Sequence, residues 1–295
     1  MTAPIAQELA APLRAAGVTG WVHAVDIDSG REVGLDAGTR VVLSSVVKVP
    51  LLVALFRRGD AGRLDLARRR EVPVAGRTPG ITGVSVFADA VTISLRDLAL
   101  LMITVSDNAA ADVVFDAVGV DAVQAEMRAL GLPGIAVRET LRDVFAGLAE
   151  ETGGVGPLEA SARLADPELR GRLALLDPER SSSAAPRDLT ALLAAIWRDE
   201  AASPEACASM RHMLGLQVWP HRLASGFPYD DVRVSGKTGT LPTLRHEIGV
   251  VEYPDGGRYA IAVLTRSPTT VAVQPRADAA IGTVARLAVE RLRAR

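Results

Sequence analysis

Of the 33 basic residues in this chain only two are lysine, Lys48 and Lys237; the rest are arginine. An ammonium is a compact point charge whose pKa falls on burial, so it can act as a base where a guanidinium cannot. Ser45-Val46-Val47-Lys48 sets a hydroxyl and an amine three residues apart, on one face of a helix. Serine alone is a weak nucleophile and needs a base nearby. A lysine desolvated beside a second cation supplies one. At a helix start, free backbone N–H groups and the helix dipole favour negative charge developing on Ser45. The plain alternative is a helix cap followed by a snorkelling lysine.

Ser106-Asp107-Asn108 brings a second hydroxyl, able to pass a proton onward, and an amide able to grip a substrate carbonyl. Taken alone it also reads as an ordinary N-cap. Lys237-Thr238-Gly239-Thr240 falls on a β-prone segment. Glycine in mid-strand marks close approach of another backbone or a ligand. A point charge and a hydroxyl beside that opening suit an anionic group such as a carboxylate; a protective lysine on an edge strand is the alternative. A phosphate-binding loop is excluded, because no G-x-x-x-x-G precedes Lys237.

The elements that must position these groups are legible in outline. Residues 4–16 pattern as a helix, and residues 21–28 alternate as a strand, with a turn at Asp28-Ser29-Gly30 and a second strand after it. Helices follow from near Ser45, then over 94–105, 109–118, 121–130, 186–200 and 204–217, while 132–160 reads as irregular. The C-terminal part changes to strand, hairpin and a helix over about 276–293, with the hairpin turn at Tyr253–Gly257. Strands at both ends can share one antiparallel sheet covered by the terminal helices. The expected division is a discontinuous sheet domain, residues 1–42 and 218–295, and a helical domain, residues 43–217, with the site in the cleft between them.

Composition removes several classes of function. With 295 residues, 48% hydrophobic and 23% charged, the chain can bury a sizeable core and is not disordered. A net charge of -2 argues against a general nucleic-acid binder. The single cysteine, Cys207, excludes an internal disulfide framework and reads as a small buried hydrophobe. The start has no basic region, and Gln7, Glu8 and Arg14 interrupt any apolar run. The expectation is a cytoplasmic protein with no membrane span. His23, His212, His221 and His246 show no metal-ligand spacing, so no metal is expected. Arg245 and Glu247 flank His246 and face either the cleft or solvent. Val86 and Phe87 are expected to pack, the alternative being an apolar wall at the cleft entrance.

The three motifs in this order resemble the class A β-lactamases and penicillin-binding proteins, class A most closely. MITVSDNAAAD and SSSAAPRDLTALL extend the resemblance, which covers most of the chain. It implies an α+β fold, a five-stranded antiparallel sheet flanked by terminal helices plus an all-helical domain. It implies Ser45 as the acylated nucleophile, Lys48 as the group that takes or relays its proton, and Ser106 as the relay to the leaving nitrogen. Asn108 contacts a substrate amide, Lys237 and Thr238 bind a carboxylate, and the backbone N–H groups of Ser45 and Thr240, beside Gly239, form the oxyanion hole. No cofactor is implied; the partner is a small molecule bearing a carboxylate. The Glu-x-x-Leu-Asn segment that positions a deacylating water is missing. Asp166-Pro167-Glu168-Leu169-Arg170 is its nearest counterpart, with Glu139 and Asp143 as rivals by spacing. The resemblance therefore points to β-lactam hydrolysis, to another amide or ester hydrolase or acyltransferase, or to a sensor acylated without turnover.

Overall fold

The computed structural model describes residues 3–153 and 163–294. The central sheet has five antiparallel strands in the order β2-β1-β9-β8-β7. An N-terminal hairpin supplies β1 (Thr19–Asp26) and β2 (Glu32–Leu35). The C-terminal part supplies β7 (Arg233–Leu241), β8 (Leu244–Glu252) and β9 (Arg258–Arg266), and β9 pairs with β1 to join the two ends of the chain. The register sets Thr238 opposite Glu247 and Gly239 opposite His246. Because side chains alternate along a strand, Lys237 and Thr238 point to opposite faces.

Helices α1 (Ala3–Ala15) and α10 (Pro275–Arg293) cover one face, where Leu9, Leu13, Ile281 and Val284 pack on Val22, Ile261 and Val263. On the other face, Leu189, Leu192 and Ile196 of α8 (Pro186–Trp197) share a core with Ile248, Val250, Ala262 and Leu264. Burying each such side chain contributes about 1.5–3 kcal/mol. The core continues into α2 (Lys48–Asp60), α3 (Leu95–Thr104), α4 (Asn108–Val118), α5 (Val120–Ala129) and α9 (Pro204–Gly215). Residues 48–56 of α2 are all buried, as expected of a helix that is apolar all round.

Two local expectations are corrected. Within the stretch read as irregular, Leu141–Glu151 forms α6, because Thr140 and Asp143 close a reciprocal capping box at its start; residues 154–162 of that stretch lie outside the described residues. Two short ribbons join segments distant in sequence: β4 (Arg69–Val72) with β5 (Val91–Ser94), and β3 (Val41–Val42) with β6 (Ser183–Ala184). Between β6 and α6 lies the short helix α7 (Pro167–Arg170). Among the described residues no helix is long and apolar enough to cross a membrane.

Candidate active site

The nucleophile candidate stands on a 3-10 turn, Ser44–Val47, that runs directly into α2. Ser44 adopts φ 52°, a conformation costly for a residue with a side chain. Two contacts hold this turn. The Leu43 N–H donates to Ser182 O at 2.8 Å, and His246 Nε2 meets Val42 O at 3.0 Å. The other ring nitrogen, Nδ1, accepts the Thr265 N–H at 3.0 Å, so Nε2 carries the proton and donates. Burial lowers the pKa of His246 to about 4 and keeps the ring neutral.

Lys48, the first residue of α2, is fully buried. Its Nζ lies 2.7 Å from Ser106 O, 2.8 Å from Asn108 Oδ1 and 3.3 Å from Ser106 Oγ. Burial lowers its pKa from 10.5 to about 7, against the pull of Asp107 and Asp112. A neutral amine has two N–H groups, which the two carbonyl oxygens accept, and one lone pair left for a hydroxyl proton. Ser45, one turn back on the same face, is the hydroxyl within reach. No hydrogen bond joins Ser45 Oγ to Lys48 in this state, as is common before substrate tightens a site.

Ser106 has φ 60°, and the residue after it explains why that conformation persists. Asp107 is fully buried; its carboxylate caps α4 through the Ala110 N–H at 3.1 Å and also accepts the Val84 N–H at 2.5 Å and the Ser85 hydroxyl at 2.8 Å. The middle residue of Ser-Asp-Asn is thus a staple, and its neighbours face the cleft. Asn108 Nδ2 donates to Pro79 O at 2.8 Å while Oδ1 holds Lys48.

Strand β7 forms the opposite wall. Lys237, fully buried, donates to Ser106 Oγ and to Thr238 O, both at 2.9 Å. Burial and then the Lys48 charge hold its pKa well below 10.5. β7 is an edge strand, but its lysine faces inward and guards nothing. A Cβ on Gly239 would meet Leu43 O at 2.9 Å and Val46 Cγ2 at 3.1 Å, so the glycine is where β7 presses on the nucleophile turn. The Thr238 N–H points away from β8, to Gln217 Oε1 at 2.6 Å. Two residues further on, the Thr240 N–H faces that same free edge.

Arg222 was not singled out by the sequence. It is 2% exposed, and its guanidinium donates to Thr240 Oγ1 at 2.8 Å, Gly239 O at 2.9 Å and His246 O at 2.8 Å. Its Nε reaches Asp278 Oδ1 at 2.7 Å, and Arg245 grips the same carboxylate through Nε and Nη2 at 2.8 and 2.9 Å. Two guanidiniums thus share one carboxylate behind Thr240, with Glu247 opposite Thr238 within electrostatic reach of Arg222.

The profile of the β-lactamase enzyme family matches residues 4–292. A protein described as β-lactamase regulatory protein BlaB, from Streptomyces cacaoi, is 35% identical, covering 97% of each chain. This chain belongs to the β-lactamase enzyme family. A β-lactamase from Sphaerobacter thermophilus DSM 20745 superposes with a TM-score of 0.79 at 26% identity, covering 99% of this chain and 98% of that one. PBP-A, in a variant captured as an acyl-enzyme with penicillin G, has the same fold, with a TM-score of 0.78 at 21% identity over 98% of this chain and 96% of its own.

Against the family frame, three sequence expectations of this β-lactamase-family protein change. Arg245 and Glu247 face neither solvent nor the open cleft: they are 5% and 1% exposed on the α10 side of the sheet. Glu247 accepts the Leu223 N–H at 2.6 Å and Gln217 Nε2 at 2.7 Å, and burial raises its pKa to about 7. Val86 and Phe87 do not pack: they are 57% and 46% exposed, because Asp107 pins the Gly83–Val86 turn with Val84 inward. The deacylation candidates are also committed elsewhere. Asp143 closes the α6 capping box, and exposed Asp166 caps α7 through the Glu168 N–H at 2.9 Å. Glu139 accepts the Ser181 hydroxyl and the Ser182 N–H.

Proposed function

We propose that this β-lactamase-family protein is an acyl-serine sensor for carboxylate-bearing β-lactams. Lys48 takes the Ser45 proton as Oγ attacks the lactam carbonyl. The developing oxyanion lies between the Ser45 and Thr240 N–H groups, where one donor is worth about 3 kcal/mol. The lactam C–N bond breaks, and Ser106 passes a proton to the ring nitrogen, with Lys48 and Lys237 on its oxygen to re-supply and polarise it. Asn108 holds the side-chain amide, and the Thr238 hydroxyl meets the carboxylate, with the charge of Lys237, buried on the other face of β7, acting on it through the strand. The product is a Ser45 ester with the ring nitrogen protonated.

One observation carries the preference for sensing over turnover: Glu139, Asp143 and Asp166 each commit one carboxylate oxygen, the first to Ser181 and Ser182 and the others to helix caps. A misplaced base costs about a hundredfold per ångström, so acylation outruns hydrolysis. The regulatory description of the Streptomyces cacaoi relative agrees with that reading.

Intact mass after mixing with penicillin G tests it. The expected result is one penicillin added to the wild type, none to Ser45→Ala, and an adduct that lasts for minutes. Steady turnover of a chromogenic cephalosporin with no lasting adduct would make the protein a hydrolase. No adduct and no turnover would point to a different amide or ester.

A further inference from the structure

A second concave site lies at the end of the sheet, away from the two lysines. Segment 170–180 and the ends of β8 and β9 enclose a cavity of about 740 Å³, within the size range of small-molecule sites. Arg170, Arg172, Arg180 and Arg266 line it, against a single carboxylate, Asp177. Asp177 is already engaged, with Oδ1 accepting the Glu179 N–H at 2.9 Å.

Two of the four guanidiniums, Arg170 and Arg266, are held by the protein but not neutralised by it. Arg170 spends Nη1 on Leu164 O and Ala165 O, both at 2.8 Å, and Arg266 spends Nη2 on Leu176 O at 3.2 Å. Neither has a carboxylate partner among the described residues. Arg180 meets Glu151 at 3.2 Å, and Arg172 has only an exposed pair with Glu168 at 3.9 Å, the kind worth almost nothing. Carbonyl bonds fix the forks of Arg170, Arg180 and Arg266 while leaving further N–H groups of each to donate. Thr243 adds a hydroxyl, reached by solvent, to the lining. It lines the cavity, is 5% exposed, and its hydroxyl has no hydrogen-bond partner among the described residues.

We propose that this cavity binds a small molecule bearing a diphosphate. Guanidinium forks match phosphate oxygens two at a time. A diphosphate spreads its charge over two centres, as the arginines are spread over segment 170–180 and β9, whereas one carboxylate would leave most of the positive charge unmatched. The volume exceeds that of the bare anion and leaves room for an organic group. Segment 170–180 continues through Ser182 to the Leu43 N–H, so the site abuts the chain that carries the nucleophile turn.

Calorimetric titration of the whole chain with inorganic pyrophosphate is the test. Wild type should bind saturably at one site, and Arg170→Gln with Arg266→Gln should weaken binding by about tenfold or more, the loss expected for two charge-assisted contacts. Arg14→Gln, on α1, should leave it unchanged. If the double variant does not fold by circular dichroism, Arg172→Gln, on an 80% exposed side chain, should weaken binding about threefold. Absence of saturable binding, equal binding by the folded variants, or citrate binding as tightly as pyrophosphate would each overturn the proposal.

Discussion

Lys48 and Lys237 come from a helix and an edge strand 189 positions apart, yet both reach one hydroxyl: Ser106 Oγ lies 3.3 Å from the first Nζ and 2.9 Å from the second. Desolvation depresses both buried amines, and the Lys48 charge depresses Lys237 further. The pair therefore titrates as a unit, and its apparent pKa values belong to the pair. A proton delivered to Ser106 can leave from either side.

The first prediction concerns pH. With neutral Lys48 as the proposed base, the rate of Ser45 acylation should rise as pH increases through about 7. Lys48→Arg keeps the charge and loses the base, and should slow acylation by about 10²–10⁴-fold. Stopped-flow mixing with penicillin G reads both. The sign for stability follows from the same group. From about 7 to 10.5 the unfolded chain holds a proton that the folded one does not, so this contribution to stability grows with pH across that window and is lost as pH falls through 7. A flat acylation profile across pH 7 would remove Lys48 as the base.

A second prediction separates the anion pocket from the framework that holds it. Esterifying the carboxylate of a β-lactam should cost about 2–4 kcal/mol in the second-order acylation rate, the scale for leaving a buried charge unpaired. Arg222→Gln should shrink the difference between acid and ester. It should also destabilise the fold less than Asp278→Asn, which strands two buried guanidiniums at a cost of about 3–5 kcal/mol. Acid and ester rates, together with urea unfolding of the two variants, give the comparison.

Gly239→Ala tests the close approach of strand and nucleophile turn. The added methyl meets Leu43 O at 2.9 Å, and neither backbone can yield without moving Ser44 and Ser45. The expected cost is about 1–3 kcal/mol of stability, with acylation slowed by more than the loss of folded protein explains. Wild-type acylation in a stable Gly239→Ala protein would show that the contact is slack.

His246 should contribute to acid sensitivity. Its ring is neutral down to about 4 when folded but titrates near 6.5 when unfolded. The stability it provides is present above 6.5 and is lost as pH falls toward 4, with a slope of up to about 1.4 kcal/mol per pH unit. His246→Gln should flatten the acid limb of a thermal-melt profile over that window. An unchanged acid limb would show that other groups carry the transition.

The amino-acid sequence alone determined the family and the order of its motifs along the chain. A composition with almost no lysine made Lys48 and Lys237 visible, and the structure brings both to Ser106. The major helices and the outer strands follow from apolar periodicity and turn residues, which are local properties. The close approach at Gly239 was also legible, because glycine in mid-strand is unfavourable unless something presses on it. Other features depended on contacts through space. Arg222 is indistinguishable in sequence from the many exposed arginines, and becomes part of the site only because Asp278, near the C-terminal end, is folded against it. Glu139, Asp143 and Asp166 all had suitable chemistry and spacing for a base, and in the folded chain Asp143 and Asp166 cap helices while Glu139 accepts from Ser181 and Ser182. Local propensity sets which element forms. Which buried polar groups find partners is decided by the packing of segments remote in sequence, since a charge removed from water must be satisfied by whatever the fold brings to it.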